Sequence, residues 1–452
     1  MNPLESAVFG PDPWWLVLIK VIGVFVVLLV WTIFNVWFER RVLGRMQNRK
    51  GPIMNGPLGL PQALGDGVKL LLKEDFRPAR TDRVVFSLAP MLIAIAAFSS
   101  WAVIPLGGEV SMFGHVTRLQ VSDLPVSVLL VLAIASVGIY GVVLAGWASN
   151  GTYSFLGSMR ATAQLISYEV CMGLSLVTVF MFAGSMSTSQ IVEAQMQHLS
   201  LFGLETFFPA HYWLPLLPSF CIYIVSIFGE TNRLPFDLAE CESEIVSGHI
   251  TDYSGFRYAM FFLAEYINVA TVSGVCTTLF LGGYGAPWPL SMVDAVNHGW
   301  WGMLWFFLKA QLVVFFFVWV RAALPRFRYD QFMNLGWKWL IPISLVWILV
   351  FSVLRGGMVN GWFASPVVAV LVGVLIVALL VWALWPSRPP EAEEEAPEAE
   401  FDAFAGGYPV PPMPGRQARQ FAGIVAESGP PGEPGGPSGA APDGPSTTGE
   451  EH

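Results

Sequence analysis

Between Gly229 and Gly248 the chain reads GETNRLPFDLAECESEIVSG and carries five carboxylates, Glu230, Asp237, Glu240, Glu242 and Glu244. The segment follows one membrane-length apolar run and precedes another. Charge beside lipid is costly, so acids kept there point to a path for protons, ions or substrate. With Pro235 in a first helical turn and Gly248 at the stop, Asp237, Glu240 and Glu244 share one face through their i, i+3, i+7 spacing. At an effective dielectric near 20 and roughly 6 Å separation, one like-charged neighbour costs about 2.8 kcal/mol, enough to keep part of the row protonated near neutral pH. Titration then belongs to the cluster rather than to one member. Two more acids lie inside apolar runs. Glu169 follows Tyr168 in ISYEV, about two turns into its expected helix, and Glu265 sits in FFLAEYINVA. Both suit a proton relay, and a protonated acid hydrogen-bonded to a neighbouring helix is the plainer alternative. Lys309 falls deep in a later run and Tyr140 in mid-run, whereas Lys20 lies near an end from which it snorkels.

The elements that must hold these groups are transmembrane helices. A chain of 452 residues that is 54% hydrophobic and 13% charged, with mean hydropathy +0.57, is too apolar for an ordinary soluble protein. Apolar runs at 14–37, 84–106, 124–148, 162–184, 212–228, 257–283, 299–321, 339–355 and 364–385 predict about nine spans in an all-α polytopic bundle. The first run is full length and follows an acidic leader, so it reads as a retained helix rather than a signal peptide. Residues 1–386 form the membrane domain, with the acidic loop at 229–256, and 387–452 form an acidic Pro/Gly-rich tail expected to be disordered. The tail owns the whole net charge of −9; a solvated spacer and a partner-docking arm both fit it. Lysine and arginine collect in alternate loops, seventeen in the loops at 39–83, 149–161, 229–257 and 321–338 against Arg118 and Arg355 opposite. The positive-inside rule therefore puts the amino terminus outside, and the acidic loop and tail in the cytoplasm.

Several chemistries lack their residues. Cys171, Cys221, Cys241 and Cys276 are scattered with no CxxC or ferredoxin spacing, so no iron-sulfur or zinc site is expected. His115, His198, His211, His298, His249 and His452 fall in loops or at the end, away from paired haem positions. No GxGxxG or Walker pattern appears, and no matched pair of broken helices of the inverted-repeat kind.

Two basic segments flank the acids. In ERRVLGRMQNRKGPIMNGPLGLPQALGDGVKLLLKED (39–75), Leu60, Leu64, Val68, Leu71 and Leu72 recur at helical spacing while Asp66, Lys69 and Lys73 face elsewhere. That predicts an interfacial amphipathic helix over about 58–74, read either as a surface anchor or as one side of a doorway for a lipid-like molecule. In RAALPRFRYDQFMNLGWKW (321–339), Arg321, Arg326, Arg328, Lys338 and Asp330 suit either a positive-inside anchor or docking of an acidic cytoplasmic partner. A third block, GWASNGTYSFLGSMRATAQLISYEV (146–170), makes a polar turn between two spans, with Arg160 and Ser167 placed to position it.

Taken in order, ERRVLGRMQNRKGP, GWASN with ISYE, ETNRLPFDLAE with ESE and VSG, and RAALPRFRYDQ resemble the quinone-chamber membrane subunits of proton-pumping NADH:quinone oxidoreductase, respiratory complex I. The four blocks span most of residues 15–355. The resemblance implies a helical wall and doorway through which ubiquinone or menaquinone approaches an iron-sulfur cluster held by a partner. It implies no complete active site and no cofactor on this chain, with FMN and the iron-sulfur clusters in partner subunits and quinone as substrate. Its partners are then the hydrophilic quinone-site and iron-sulfur subunits, small membrane subunits, antiporter-like subunits and lipid, with no nucleic acid, in the plasma membrane of a bacterium. The family's proton path falls on Glu169, Glu230, Asp237, Glu240, Glu242, Glu244, Asp252 and Glu265, to which Tyr168 and Lys309 are added as candidates. Glu39, Arg40, Asp66, Lys69 and Arg233 fall on the quinone channel, and Arg321, Arg326, Arg328 and Asp330 on the junction with the hydrophilic arm. Cys241 and His249 depart from the usual glycine and aromatic, and the ninth span and tail exceed the usual eight-helix design. A stand-alone ion or proton antiporter, a structural anchor for a soluble arm and a membrane-bound hydrogenase-type subunit are the rival readings.

Overall fold

The computed structural model describes residues 12–201, 204–209, 211–238, 242–288, 290–292, 297 and 299–359. Ala239, Glu240, Cys241, His298, His452, the expected ninth span and the tail lie outside the described residues, as do the side chains of His198 and Glu242. The helices are α1 (Trp14–Met46), α2 (Pro61–Leu72), α3 (Arg83–Ser99), α4 (Ser127–Ser149), α5 (Thr152–Ala183), α6 (Thr188–Met196), α7 (Leu217–Glu230), α8 (Glu242–Ile245), α9 (Gly255–Phe280), α10 (Trp301–Ala323), α11 (Tyr329–Asn334) and α12 (Ile341–Val359). A π-helical stretch, Leu335–Leu340, joins the last two.

Among the described residues, seven helical runs are long and apolar enough to cross a membrane, namely α1, α3 with its 3-10 extension to Val103, α4, α5, α9, α10, and the run from Tyr329 to Gly357. The expected fifth span is the shorter α7, whose 14 residues rise about 21 Å, less than a bilayer core. Helix α1 runs the other way in length. Its 33 residues contain no proline and rise about 50 Å, so it carries Glu39, Arg40 and Arg41 beyond the apolar stretch without a break. Helix α5 begins ten residues before its apolar run, because Thr152–Ala161 continues the helix with polar and small residues that pack on the neighbouring loop. Glu169 therefore lies in mid-helix rather than near its start.

The bundle is organised on α9, which packs against α1, α2, α3, α6 and α10. Its face of small and hydroxylated residues lets other backbones approach, the usual route to helix association where lipid removes the hydrophobic drive. Trp101, 1% exposed, donates to Thr271 Oγ1 at 2.8 Å and meets Trp31 and Phe306 edge-on, at 5.7 and 6.2 Å between ring centroids. Helix α2 buries no residue, and Leu64, Val68, Leu71 and Leu72 are exposed along it, as expected for a helix with an apolar face toward lipid.

Three local expectations change. Two antiparallel hairpins, β1 (Gly107–Met112) with β2 (His115–Leu119) and β3 (His198–Leu201) with β4 (Leu204–Pro209), cap the side opposite the basic loops. Lys20 does not snorkel. It is 8% exposed and bonds Asp12 and Thr117, each at 2.5 Å, because a buried partner acid offsets the cost of burying its charge. The helix expected from Pro235 is absent over 231–238, and the described helix of this loop is the single turn α8. Here burial outweighs helix propensity. Phe236 inserts among Tyr168, Phe327 and Phe332, with its ring 4.5 Å from that of Phe332, and Pro235 gives its carbonyl to the Phe327 N–H at 3.2 Å. Buried Gln164 fastens the loop from below, donating to the carbonyls of Gly229 at 2.8 Å and Phe236 at 3.0 Å.

Candidate functional site

A buried ion network sits at the basic-loop end of α1. Glu39, 7% exposed, takes the guanidinium of Arg321 from α10, the hydroxyl of Tyr266 from α9 at 2.6 Å, and Arg233 Nη1 from the loop after α7 at 3.5 Å. Arg233 also holds Glu265 at 3.0 Å through Nε and lies over the Tyr266 ring, 4.5 Å from its centroid. Four separate elements thus converge on two acids and two arginines, and α9 supplies both Glu265 and Tyr266. Opposite charges at this spacing compensate one another's burial, provided each keeps its partner.

Beyond Arg233 lies a cavity of about 110 Å³ between α3, α4, α5, α7 and α9. Glu169, Glu230 and Glu265 line it together with Asn232, His249 and Asn268. Glu230 Oε2, Asn232 Oδ1 and His249 Nδ1 are buried and find no hydrogen-bond partner among the described residues. The lining is mainly apolar, but these unmet atoms lie close enough together for water, which satisfies two to four groups at once, to serve them. Ser136 on α4 donates a short hydrogen bond to Glu169. Water in this space would link the acids and the imidazole by hydrogen bonds, the arrangement that proton transfer requires.

The remaining expected residues separate into other settings. Asp237 pairs with Arg326 at 2.8 Å, Glu244 with Arg160 at 2.8 Å, and Asp252 accepts from Ser154 at 2.6 Å, so these acids do not form one stacked row. Each has found a cation or donor of its own on a neighbouring segment. Tyr168 faces away from the cavity, stacking on Phe332 at 4.2 Å and donating to the Phe332 carbonyl at 2.9 Å. Consecutive helix residues point about 100° apart, so Glu169 meets the cavity while Tyr168 cannot. Lys309 donates to the carbonyls of Leu281 at 2.6 Å and Gly283 at 3.2 Å, capping the far end of α9 about 24 Å of helix from Glu265. It does not join the acids. Arg321 pairs with Glu39, whereas Arg328 and Asp330 are exposed at the start of α11. Of the expected channel residues, Glu39 and Arg233 are in the network. Arg40 and Asp66 form an exposed pair at 2.5 Å between α1 and α2, near exposed Lys69. Among the described residues no group of three or more His, Cys, Asp or Glu is placed to hold a metal ion.

Tyr266, Asn232, Asn268 and Gln164 are functional neighbours that the sequence does not single out. Tyr266 carries a usable signal, since the pair Glu265–Tyr266 repeats in reverse the pair Tyr168–Glu169. The amides carry none, because a lone Asn or Gln near an apolar run has no spacing to mark it.

His249 on the cavity wall lies outside the spans. Burial lowers its pKa from 6.5 to about 4, so the imidazole stays neutral near pH 7. A histidine depressed in the folded state favours folding above its unfolded value, and that contribution is lost as pH falls from 6.5 toward 4. Thermal unfolding of the purified assembly is therefore expected to steepen in pH dependence below 6.5, and His249→Gln to flatten it. Equal slopes for parent and variant between pH 6.5 and 4.5 would refute this.

A family model described as NADH dehydrogenase matches residues 19–352. The chain is 64% identical over 416 residues, 92% of this chain and 94% of the other, to a curated protein of Cutibacterium acnes named as the H-type subunit of NADH-quinone oxidoreductase. It is 49% identical over 421 residues, covering 91% and 90%, to a protein of the same name from Streptomyces avermitilis. At 92% coverage the first match takes in the apolar stretch 364–385. With four sequence blocks in order, a polytopic helical bundle and matches of this breadth, the chain belongs to the NADH dehydrogenase family of NADH-quinone oxidoreductase H-type membrane subunits.

Proposed function

We propose that this subunit walls the quinone chamber of a proton-translocating NADH:quinone oxidoreductase and couples quinone reduction to proton movement through Glu39, Arg233, Glu265, Glu230 and Glu169. The single supporting observation is continuity. Arg233 bonds Glu39 on one side and Glu265 on the other, and Glu265 shares one cavity with Glu230 and Glu169. A charge change near Glu39 alters how tightly Arg233 is held by Glu265, and a proton reaching or leaving Glu265 is felt across the cavity. Coulomb interaction over these distances is strong enough to shift such equilibria by the 1–3 kcal/mol typical of coupled sites. Asp237, Glu244 and Asp252 then act as anchors of the loop rather than as relay stations. Arg40, Asp66 and Lys69, between α1 and the interfacial helix, form the quinone doorway.

The basic-loop side faces the bacterial cytoplasm, where Arg326, Arg328 and Asp330 meet the hydrophilic subunits that carry FMN and iron-sulfur clusters. The opening beside Glu169 faces the small membrane and antiporter-like subunits. The names of the curated relatives favour the quinone enzyme over a hydrogenase-type complex or a stand-alone antiporter.

The test is Glu230→Gln in inverted membrane vesicles. NADH oxidation with added quinone should persist under uncoupled conditions, while the proton gradient formed per NADH falls by about tenfold, a modest share of what a positioned proton-transfer group contributes. Unchanged pumping would remove Glu230 from the relay. Hydrogen release from quinone-extracted membranes, with protons taking the electrons in place of quinone, would instead favour the hydrogenase-type reading.

A further inference from the structure

Buried hydroxyls on α9 follow one rule. Thr271, Ser273, Thr277 and Thr278 each donate to the carbonyl four residues earlier, at 2.7 to 2.9 Å. Thr32 on α1 breaks it. The residue is 5% exposed, yet its Oγ1 is buried with no partner among the described residues. One turn further, Asn35, 3% exposed, leaves Oδ1 in the same condition. Opposite them on α10, Gln311 accepts from Trp31 Nε1 at 2.9 Å and leaves Nε2 unpartnered, as Arg233 leaves Nη2.

These groups are aligned. Thr32, Asn35 and Glu39 stand at i, i+3 and i+7, so they share one face over about 10 Å of helix. Asn35 lines, with Glu39, Arg233, Tyr266 and Arg321, a small recess of about 20 Å³ between α1, α9 and α10, room for one or two water molecules. The unmet atoms are complementary in kind, an acceptor on Asn35 and donors on Gln311 and Arg233, but they do not bond one another. A small molecule that both donates and accepts is needed between them. An acyl chain would strand every one of them, and a metal cation is disfavoured beside Arg233 and Arg321. Water meets the requirement.

We propose that one or two ordered waters sit between the facing sides of α1 and α10, anchored on Asn35 beside the Glu39 network and within reach of Thr32 or Gln311. This water is separate from the Glu169–Glu230–Glu265 cavity. It solvates Glu39 and Arg233 from the membrane side and so makes Asn35 a positioning residue. Its effect on turnover rests on the function proposed above; its existence does not.

Cryo-electron microscopy of the intact assembly, at a resolution that shows water, tests it directly. Density within hydrogen-bond distance of both Asn35 Oδ1 and either Thr32 Oγ1 or Gln311 Nε2 is expected. A dry recess, direct bonds among these side chains, a partner side chain or acyl-chain density there would overturn it. In Asn35→Leu the density should disappear and NADH:quinone turnover slow by about threefold with an unchanged KM for quinone, the pattern of a lost positioning interaction. Asn35→Ser should retain both water and rate. Parent turnover in Asn35→Leu would overturn the positioning role. Because the density is read whether or not Glu230→Gln uncouples pumping, this inference and the coupling proposal fail separately.

Discussion

Glu39→Ala is expected to cost the folded protein about 3–5 kcal/mol and to leave little assembled enzyme in the membrane. The carboxylate serves three partners at once, Arg321, Arg233 and the Tyr266 hydroxyl. Removing it keeps two arginines at the edge of the bilayer with one acid, Glu265, beside them, and an unpaired buried charge costs more than the pair contributed. Glu39→Gln should fall between parent and alanine, because an amide still accepts from Tyr266 but cancels no charge. The measurements are the unfolding temperature of purified assembly and the amount of chain in membranes. Parent-like values for Glu39→Ala would mean that the arginines find other partners and that the network is not what holds α1, α9 and α10 together here.

Gly157→Val is expected to detach the acidic loop, at a cost of about 3 kcal/mol, the upper part of the overpacking range. A Cβ at Gly157 on α5 runs into the backbone of Gly248, with the Gly248 carbonyl carbon at 2.9 Å and the His249 nitrogen at 3.1 Å. Side chains yield to such contacts by rotating; backbone yields only by moving the segment. The segment in question carries His249 and Ile250 to the cavity wall. The variant should therefore expose residues 230–256 to proteolysis and lose coupled pumping with it. Gly173→Ala on the same helix, where a Cβ meets nothing within 4 Å, is the control and should behave as the parent. If Gly157→Val resists protease as the parent does, the close approach of α5 to this loop is not a constraint on the protein.

Much of the architecture is legible in the sequence because membranes impose simple rules. An apolar run of spanning length must be helical, since its backbone groups have no other partners in lipid, and so the long spans and the lipid-facing helix α2 stand in the sequence. The intramembrane acids Glu169 and Glu265 are legible for a related reason: charge is too costly there to be incidental. Asp237 and Glu244, the described members of the expected acid row, pair with separate cations instead of stacking, because spacing along the chain says nothing about Phe236 finding a buried aromatic pocket, nor about Arg326 and Arg160 reaching across to them.

Sequence by itself determined the class of protein, the helices, and the acids and arginines available for proton chemistry, because composition and apolar run length act locally. Only the tertiary structure decided which of those charges meet. It joined Glu39 to Arg233 and Arg321, gathered Glu169, Glu230 and Glu265 around one cavity, and sent Lys309 to the far end of α9 and Tyr168 to Phe332. The physical reason is that a buried charge takes its character from partners supplied by other elements, and those partners are fixed by how helices pack, which no pattern along one segment encodes.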